Sequence, residues 1–70
     1  MTKSEVEKFL DTPLVTVFVD SGERLNRYLR KVTESTAEFE YFLFGTLPKR
    51  ETLKLEDILG LIVQGREYKF

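Results

Sequence analysis

The sequence predicts a mainly β domain with one short N-terminal helix, and three observations carry that prediction. Leu14-Val15-Thr16-Val17-Phe18-Val19 is dense in β-branched residues and apolar on both faces, as suits a strand buried on both sides. Ala37 to Phe44 sets Phe39, Tyr41 and Leu43 against Glu38, Glu40 and Phe42, a period of two that reads as a strand. Towards the C-terminus Leu53 and Leu55 share one face of a short strand, Thr52 to Leu55. After the tight turn Glu56-Asp57, Ile58 to Val63 is an apolar strand or a single turn followed by a strand.

Taken in order, the helix comes first. Ser4-Glu5-Val6-Glu7 fits a capping box, the Ser4 hydroxyl accepting from the Glu7 N–H while the Glu7 carboxylate reaches back. Val6, Phe9 and Leu10 then share a helical face. Pro13 forbids continuation and biases Thr12 towards extended backbone, so the helix is expected over about residues 4–11. The buried strand follows, closed by Asp20-Ser21-Gly22, where Asp and Ser bond their own backbone and Gly tolerates positive φ.

Residues 23–35 read two ways. Leu25, Tyr28, Leu29 and Val32 are spaced i, i+3, i+4, i+7, which is helical. The strand reading puts Leu25, Arg27 and Leu29 on one face and needs a bulge or bend near Arg30 to bring Val32 inward. Beyond the aromatic strand, Gly45 to Glu51 reads as a polar loop punctuated by Gly45 and Pro48. Gln64-Gly65 breaks the last apolar strand, and Arg66 to Phe70 adds an edge with Tyr68 and Phe70 on one side. The expected core is Val15, Val17, Val19, Leu25, Leu29, Val32, Phe39, Tyr41, Leu55, Ile58 and Ile62.

Composition narrows function. Seventy residues make one domain that buries only about 60% of the surface its unfolded chain exposes. With no Cys and no His, disulfides, thiolate zinc sites and the commonest general base are all missing. No catalytic residue, metal ligand or cofactor site is therefore assigned, and the chain is expected to bind and not to catalyse. Ser4, Ser21 and Ser35 sit in cap or turn contexts. Glu56-Asp57 and Glu38/Glu40 read as solvated turn and strand face. Eleven basic and twelve acidic residues, a formal charge of −1, give no general excess for coating phosphate. No apolar run is long enough to span a bilayer, and the expected location is cytoplasmic, with no membrane partner.

One basic cluster stands out. Arg24, Arg27, Arg30 and Lys31 lie around Tyr28, with Lys49-Arg50 later in the chain. Arg beside an aromatic can hold phosphate and stack a base, which makes Arg24, Arg27, Tyr28, Arg30 and Lys31 candidates for RNA or a nucleotide ligand. The competing reading pairs these cations across a hairpin with Glu34, Glu38 and Glu40.

The order of elements resembles the Sm-like family, which includes the LSm proteins and the bacterial RNA chaperone Hfq. The likeness rests on Val15-Thr16-Val17-Phe18-Val19 before Asp20-Ser21-Gly22-Glu23, on Leu25 and Leu29 four apart, and on the run from Leu53 to Val63. The resemblance implies a five-stranded, strongly bent Sm-like or SH3-like small barrel in which residues 23–35 are one bent strand. It also implies a homo-oligomer joined through strand edges, with Phe39, Tyr41, Phe42, Phe44, Leu61 and Val63 as the interface. The departures are specific. Arg27 stands where the family has a Gly at the bend, the loop Thr33-Glu34-Ser35-Thr36-Ala37 lacks the family's Asn, and Glu56-Asp57 replaces its basic turn. No family binding residue carries over. Two readings stay open: an Sm-like oligomer that binds RNA, a nucleotide-sized ligand or a protein, and a small monomeric phage- or plasmid-type regulator acting on one protein target.

Overall fold

The computed structural model describes residues 2–10 and 14–69. The chain runs α1 (Lys3–Glu7), β1 (Val15–Val19), β2 (Arg24–Val32), β3 (Thr36–Leu43), β4 (Leu47–Lys54), a 3₁₀ turn (Leu55–Asp57), β5 (Ile58–Val63) and β6 (Arg66–Lys69). The mainly β class is as expected. The six strands form one open antiparallel sheet in the order β4-β3-β2-β1-β5-β6. The sixth strand, β6, lies outside the five that the resemblance implies. No helix among the described residues is long and apolar enough to cross a membrane.

Residues 23–35 resolve as strand. β2 pairs with β1 through Arg24–Arg27 and with β3 through Tyr28–Val32, so one strand serves both halves of the sheet and folds them over the core. Its register against β3 slips between Leu29 and Lys31. That bulge leaves Arg30 as the extra residue and turns both Leu29 and Val32 inward. The i, i+3 spacing that looked helical is the signature of a strand that changes parity.

A second slip, between Phe18 and Val19 against β5, sets Phe18 opposite Gly60 and Val19 opposite Ile58. Leu59 is squeezed outward, and the inward face of β5 switches from Ile58 to Leu61 and Val63. The core therefore holds Val6, Phe9, Val15, Val17, Val19, Leu29, Ala37, Phe39, Leu55, Ile58, Leu61 and Val63, with Leu25 and Val32 packed against it. Ile62, expected inside by unbroken alternation from Ile58, is only half-buried. Tyr41 is also outside the core, because β3 runs on past its last pairing with β2 at Tyr28–Glu40.

Two further expectations change. Residues 47–51 are not loop: β4 begins at Leu47, and β3 and β4 pair without interruption from Thr36–Lys54 to Leu43–Leu47. Pro48 is tolerated because β4 is an edge strand, where a missing N–H costs no ladder bond. The helix is capped by Thr2 and Glu5, not by Ser4 and Glu7. The Thr2 N–H donates to Glu5 Oε1 at 2.8 Å and the Glu5 N–H donates to Thr2 Oγ1 at 3.4 Å. Both tetrads satisfy the capping pattern, and the earlier start carries Val6 and Phe9 onto the sheet. α1 ends at Glu7 with Lys8 as its C-cap, short of the expected extent to residue 11; the Thr12-Pro13 break and Phe70 lie outside the described residues.

The cap makes the helix sensitive to acid. The Thr2 backbone N–H, and then its hydroxyl, hold the Glu5 carboxyl below the usual carboxylate range. A carboxylate with a depressed folded pKa stabilises above its unfolded pKa, and that contribution is lost as pH falls through the folded value. Acidification is thus expected to fray α1 slightly before the sheet responds, read as loss of exchange protection at the Glu5 and Val6 amides. Protection that stays constant down to the global acid transition would contradict this.

Candidate binding surface

The β2 cations are largely matched by carboxylates. Arg27 Nε lies 3.1 Å from Glu51 Oε1, and its guanidinium sits 4.0 Å from the Tyr41 ring centroid. Arg30 Nη2 lies 3.0 Å from Glu40 Oε1 and its guanidinium 5.1 Å from the Tyr28 ring. Lys31 Nζ reaches Glu38 at 3.8 Å, and Arg50 Nε reaches Glu40 at 4.0 Å. Glu34 pairs instead with Lys3 at 3.4 Å, tying helix to sheet. These are the pairs the cross-hairpin reading anticipates for Glu38 and Glu40. Among the described residues Arg24 has no ion pair; its guanidinium rests 5.0 Å from the Phe18 ring.

The Asp20-Ser21-Gly22 and Glu56-Asp57 turns lie together. Gly22 takes φ +88° and its N–H donates to the Val19 carbonyl at 2.9 Å. The Asp20 N–H donates to the Asp57 carbonyl at 3.1 Å, so the two turns brace each other. A strand, not a helix, follows Gly22.

The most unusual surface is the end of the β3–β4 hairpin. Phe44 and Gly45 are the two central residues, with φ of 56° and 76°, and the Thr46 N–H closes the turn on the Leu43 carbonyl at 3.2 Å. Two successive positive φ values match the twist of flanking strands, and Asn-Gly or Gly-Gly normally supplies them. A bulky L-residue in the left-handed region costs about 1–2 kcal/mol. Phe44 meets that cost with its side chain 90% exposed, beside Phe42 at 43%, Leu43 at 40% and Leu47 at 48%. Leu43 and Leu47 continue the inner face of the hairpin beyond the core, while Phe42 lies on the other face beside Pro48 and meets Tyr28 edge-on at 6.1 Å. A depression of about 370 Å³ links Phe42, Tyr28 and Tyr41 to exposed Leu14.

The candidate interface residues thus divide. Phe39 and Leu61 are fully buried and Val63 nearly so; Tyr41, Phe42 and Phe44 lie towards the hairpin end. β3 and β5 are both inner strands, and the outer edges belong to β4 and β6. β4 carries Pro48, Lys49, Arg50 and Lys54 along its edge, and β6 carries Arg66, Glu67 and Lys69. Charge and Pro on an edge discourage strand addition. Leu43, Leu47 and Leu14 were not among the candidates. Reading residues 45–51 as loop hid Leu47 as the strand partner of Leu43. Compared with protein-family models, curated proteins and solved structures, the chain matches none.

Proposed function

We propose that the chain is a non-catalytic binding module of the Sm-like small-barrel type that assembles with copies of itself through the end of the β3–β4 hairpin. The carrying observation is Phe44, a large aromatic held in solvent on a backbone conformation it disfavours. Residues kept in sparsely populated backbone regions concentrate at sites of function. A second copy is favoured as the occupant because so short a chain has too small a core to bury the apolar surface it carries. With both hairpin faces apolar and Lys49 and Arg50 just behind them, a symmetric contact puts the apolar residues at its centre and the cations at its rim, the usual anatomy of an interface. The short helix, the shared strand β2 and the short turn before β5 support the Sm-like reading. Because charges blunt the outer strand edges, the proposed contact is made by side chains at the hairpin end.

Light scattering at tens of micromolar is expected to give a mass above that of one chain, and Leu43→Ser with Leu47→Ser to return it to one. A single-chain mass for the wild type would overturn self-association and favour the monomeric regulator of one protein target. RNA binding along β2 has weaker support, because Arg27, Arg30 and Lys31 already have carboxylate partners.

A further inference from the structure

A second surface lies on the outer face of β2, β1, β5 and β6. The pairing register sets Phe18 opposite Arg24 on one side and Gly60 on the other, and Gly60 opposite Lys69. One row across four strands therefore reads Arg24, Phe18, Gly60, Lys69. Strands lie about 4.8 Å apart, so the two cations stand at ends roughly 14 Å from each other. Gly60 puts no side chain into the row, and the Tyr68 carbonyl oxygen and Phe18 Cδ2 lie 2.8 and 3.6 Å from where a Cβ would stand, so backbone floors the row there. Leu59, thrown out by the bulge and 49% exposed, and Ile62 flank that floor. The resulting open depression is about 410 Å³, within the roughly 300–1,000 Å³ of small-ligand sites.

Its charge is mixed but positive. Lys69 Nζ lies 3.7 Å from Glu67 Oε1, so that cation is partly matched. Arg24 has no carboxylate partner among the described residues, and two cations against one carboxylate leave +1 in the lining.

We propose that this depression binds a small planar aromatic anion, of which a free nucleoside monophosphate is the representative. The ring lies against Phe18 above the Gly60 backbone, between Leu59 and Ile62, and the phosphate meets Arg24. An aromatic face accepts a base without sequence preference, and guanidinium gives phosphate two parallel charge-assisted hydrogen bonds. A nucleic-acid chain is not the occupant. Successive phosphates need a track of unmatched cations, and beyond Arg24 the β2 cations are held by Glu51, Glu40 and Glu38.

The test is a titration of the ¹⁵N-labelled chain followed by amide shifts, with adenosine and uridine monophosphates, inorganic phosphate and a single-stranded oligonucleotide as probes. Saturable shifts are expected at Phe18, Arg24, Leu59, Gly60 and Ile62. Arg24→Gln and Phe18→Val should each weaken nucleotide binding by roughly tenfold, the loss of one charge-assisted contact or one stacked ring, while Lys54→Gln on the edge strand β4 leaves it unchanged. Unaltered dispersion elsewhere in each variant spectrum shows that the fold is kept. The proposal is overturned by no saturable shift, by shifts centred on another surface, or by an affinity indifferent to Arg24→Gln. Inorganic phosphate binding as tightly as the nucleotide would also overturn it, as would an oligonucleotide binding tenfold or more tighter.

Discussion

Phe39→Ala is expected to remove a large part of the chain's stability. Phe39 is fully buried, sits directly across from Leu29 where β2 meets β3, and is flanked on β4 by Glu51. Truncating a buried Phe to Ala costs about 3–5 kcal/mol, the lost transfer energy plus the cavity left behind. A domain of this length has roughly 4–10 kcal/mol of total stability, so the substitution removes a large part of it. Phe39→Leu, which keeps most of the volume, should fold and melt cooperatively at lower temperature. Circular dichroism during urea unfolding checks both. A Phe39→Ala midpoint close to the wild type would mean that β3 is not packed as described.

The second large effect belongs to Gly60. A Cβ at this position would stand 2.8 Å from the Tyr68 carbonyl oxygen and 3.6 Å from Phe18 Cδ2. The first neighbour is backbone and cannot rotate away, so β6 must shift off β5. Gly60→Ala should cost about 1–3 kcal/mol, in the range of overpacking, and the loss should be local first. Hydrogen exchange is expected to speed up at the β6 amides before it does at β1 or β3. Gly65→Ala is the control. Nothing lies within 4 Å of its Cβ, but φ is +78°, so its cost of about 1–2 kcal/mol is backbone strain in the turn itself. Equal stability of Gly60→Ala and wild type would contradict the close β5–β6 approach.

The sequence disclosed the class of the fold and the location of most strands because those signals are local. The β-branched run of β1 and the alternation of β3 need no knowledge of their neighbours. What stayed hidden was parity. Arg30 and Leu59 are extra residues opposite paired partners, and a bulge is a property of two strands together. One bulge made β2 look helical; the other moved the core positions of β5 from Ile62 to Leu61 and Val63. β4 was unreadable for a different reason, since Pro48, Lys49 and Arg50 are turn-like by composition and acceptable on an edge. At the candidate surface the cations were visible, and so were their partners Glu38 and Glu40; Glu51, the partner of Arg27, was not, because it lies on β4 with β3 between them. Phe44 was visible as an aromatic. Its positive φ, which sets it apart from an ordinary strand residue, follows from the tight turn that the Thr46 N–H closes on the Leu43 carbonyl.

That turn also supplies the most direct test of self-association. Asn accepts left-handed backbone far more readily than Phe, so Phe44→Asn should relieve strain at the hairpin end while removing its most exposed aromatic. Stability and assembly are then expected to move in opposite directions. The measurement is sedimentation equilibrium of wild type and Phe44→Asn over a concentration series, with thermal melts of both at the dilute end. Wild type should show mass rising with concentration; Phe44→Asn should stay at one chain and melt at the same or a higher temperature. A variant that assembles as the wild type does, or a wild type that remains a single chain throughout, would contradict the proposed role of the β3–β4 hairpin end.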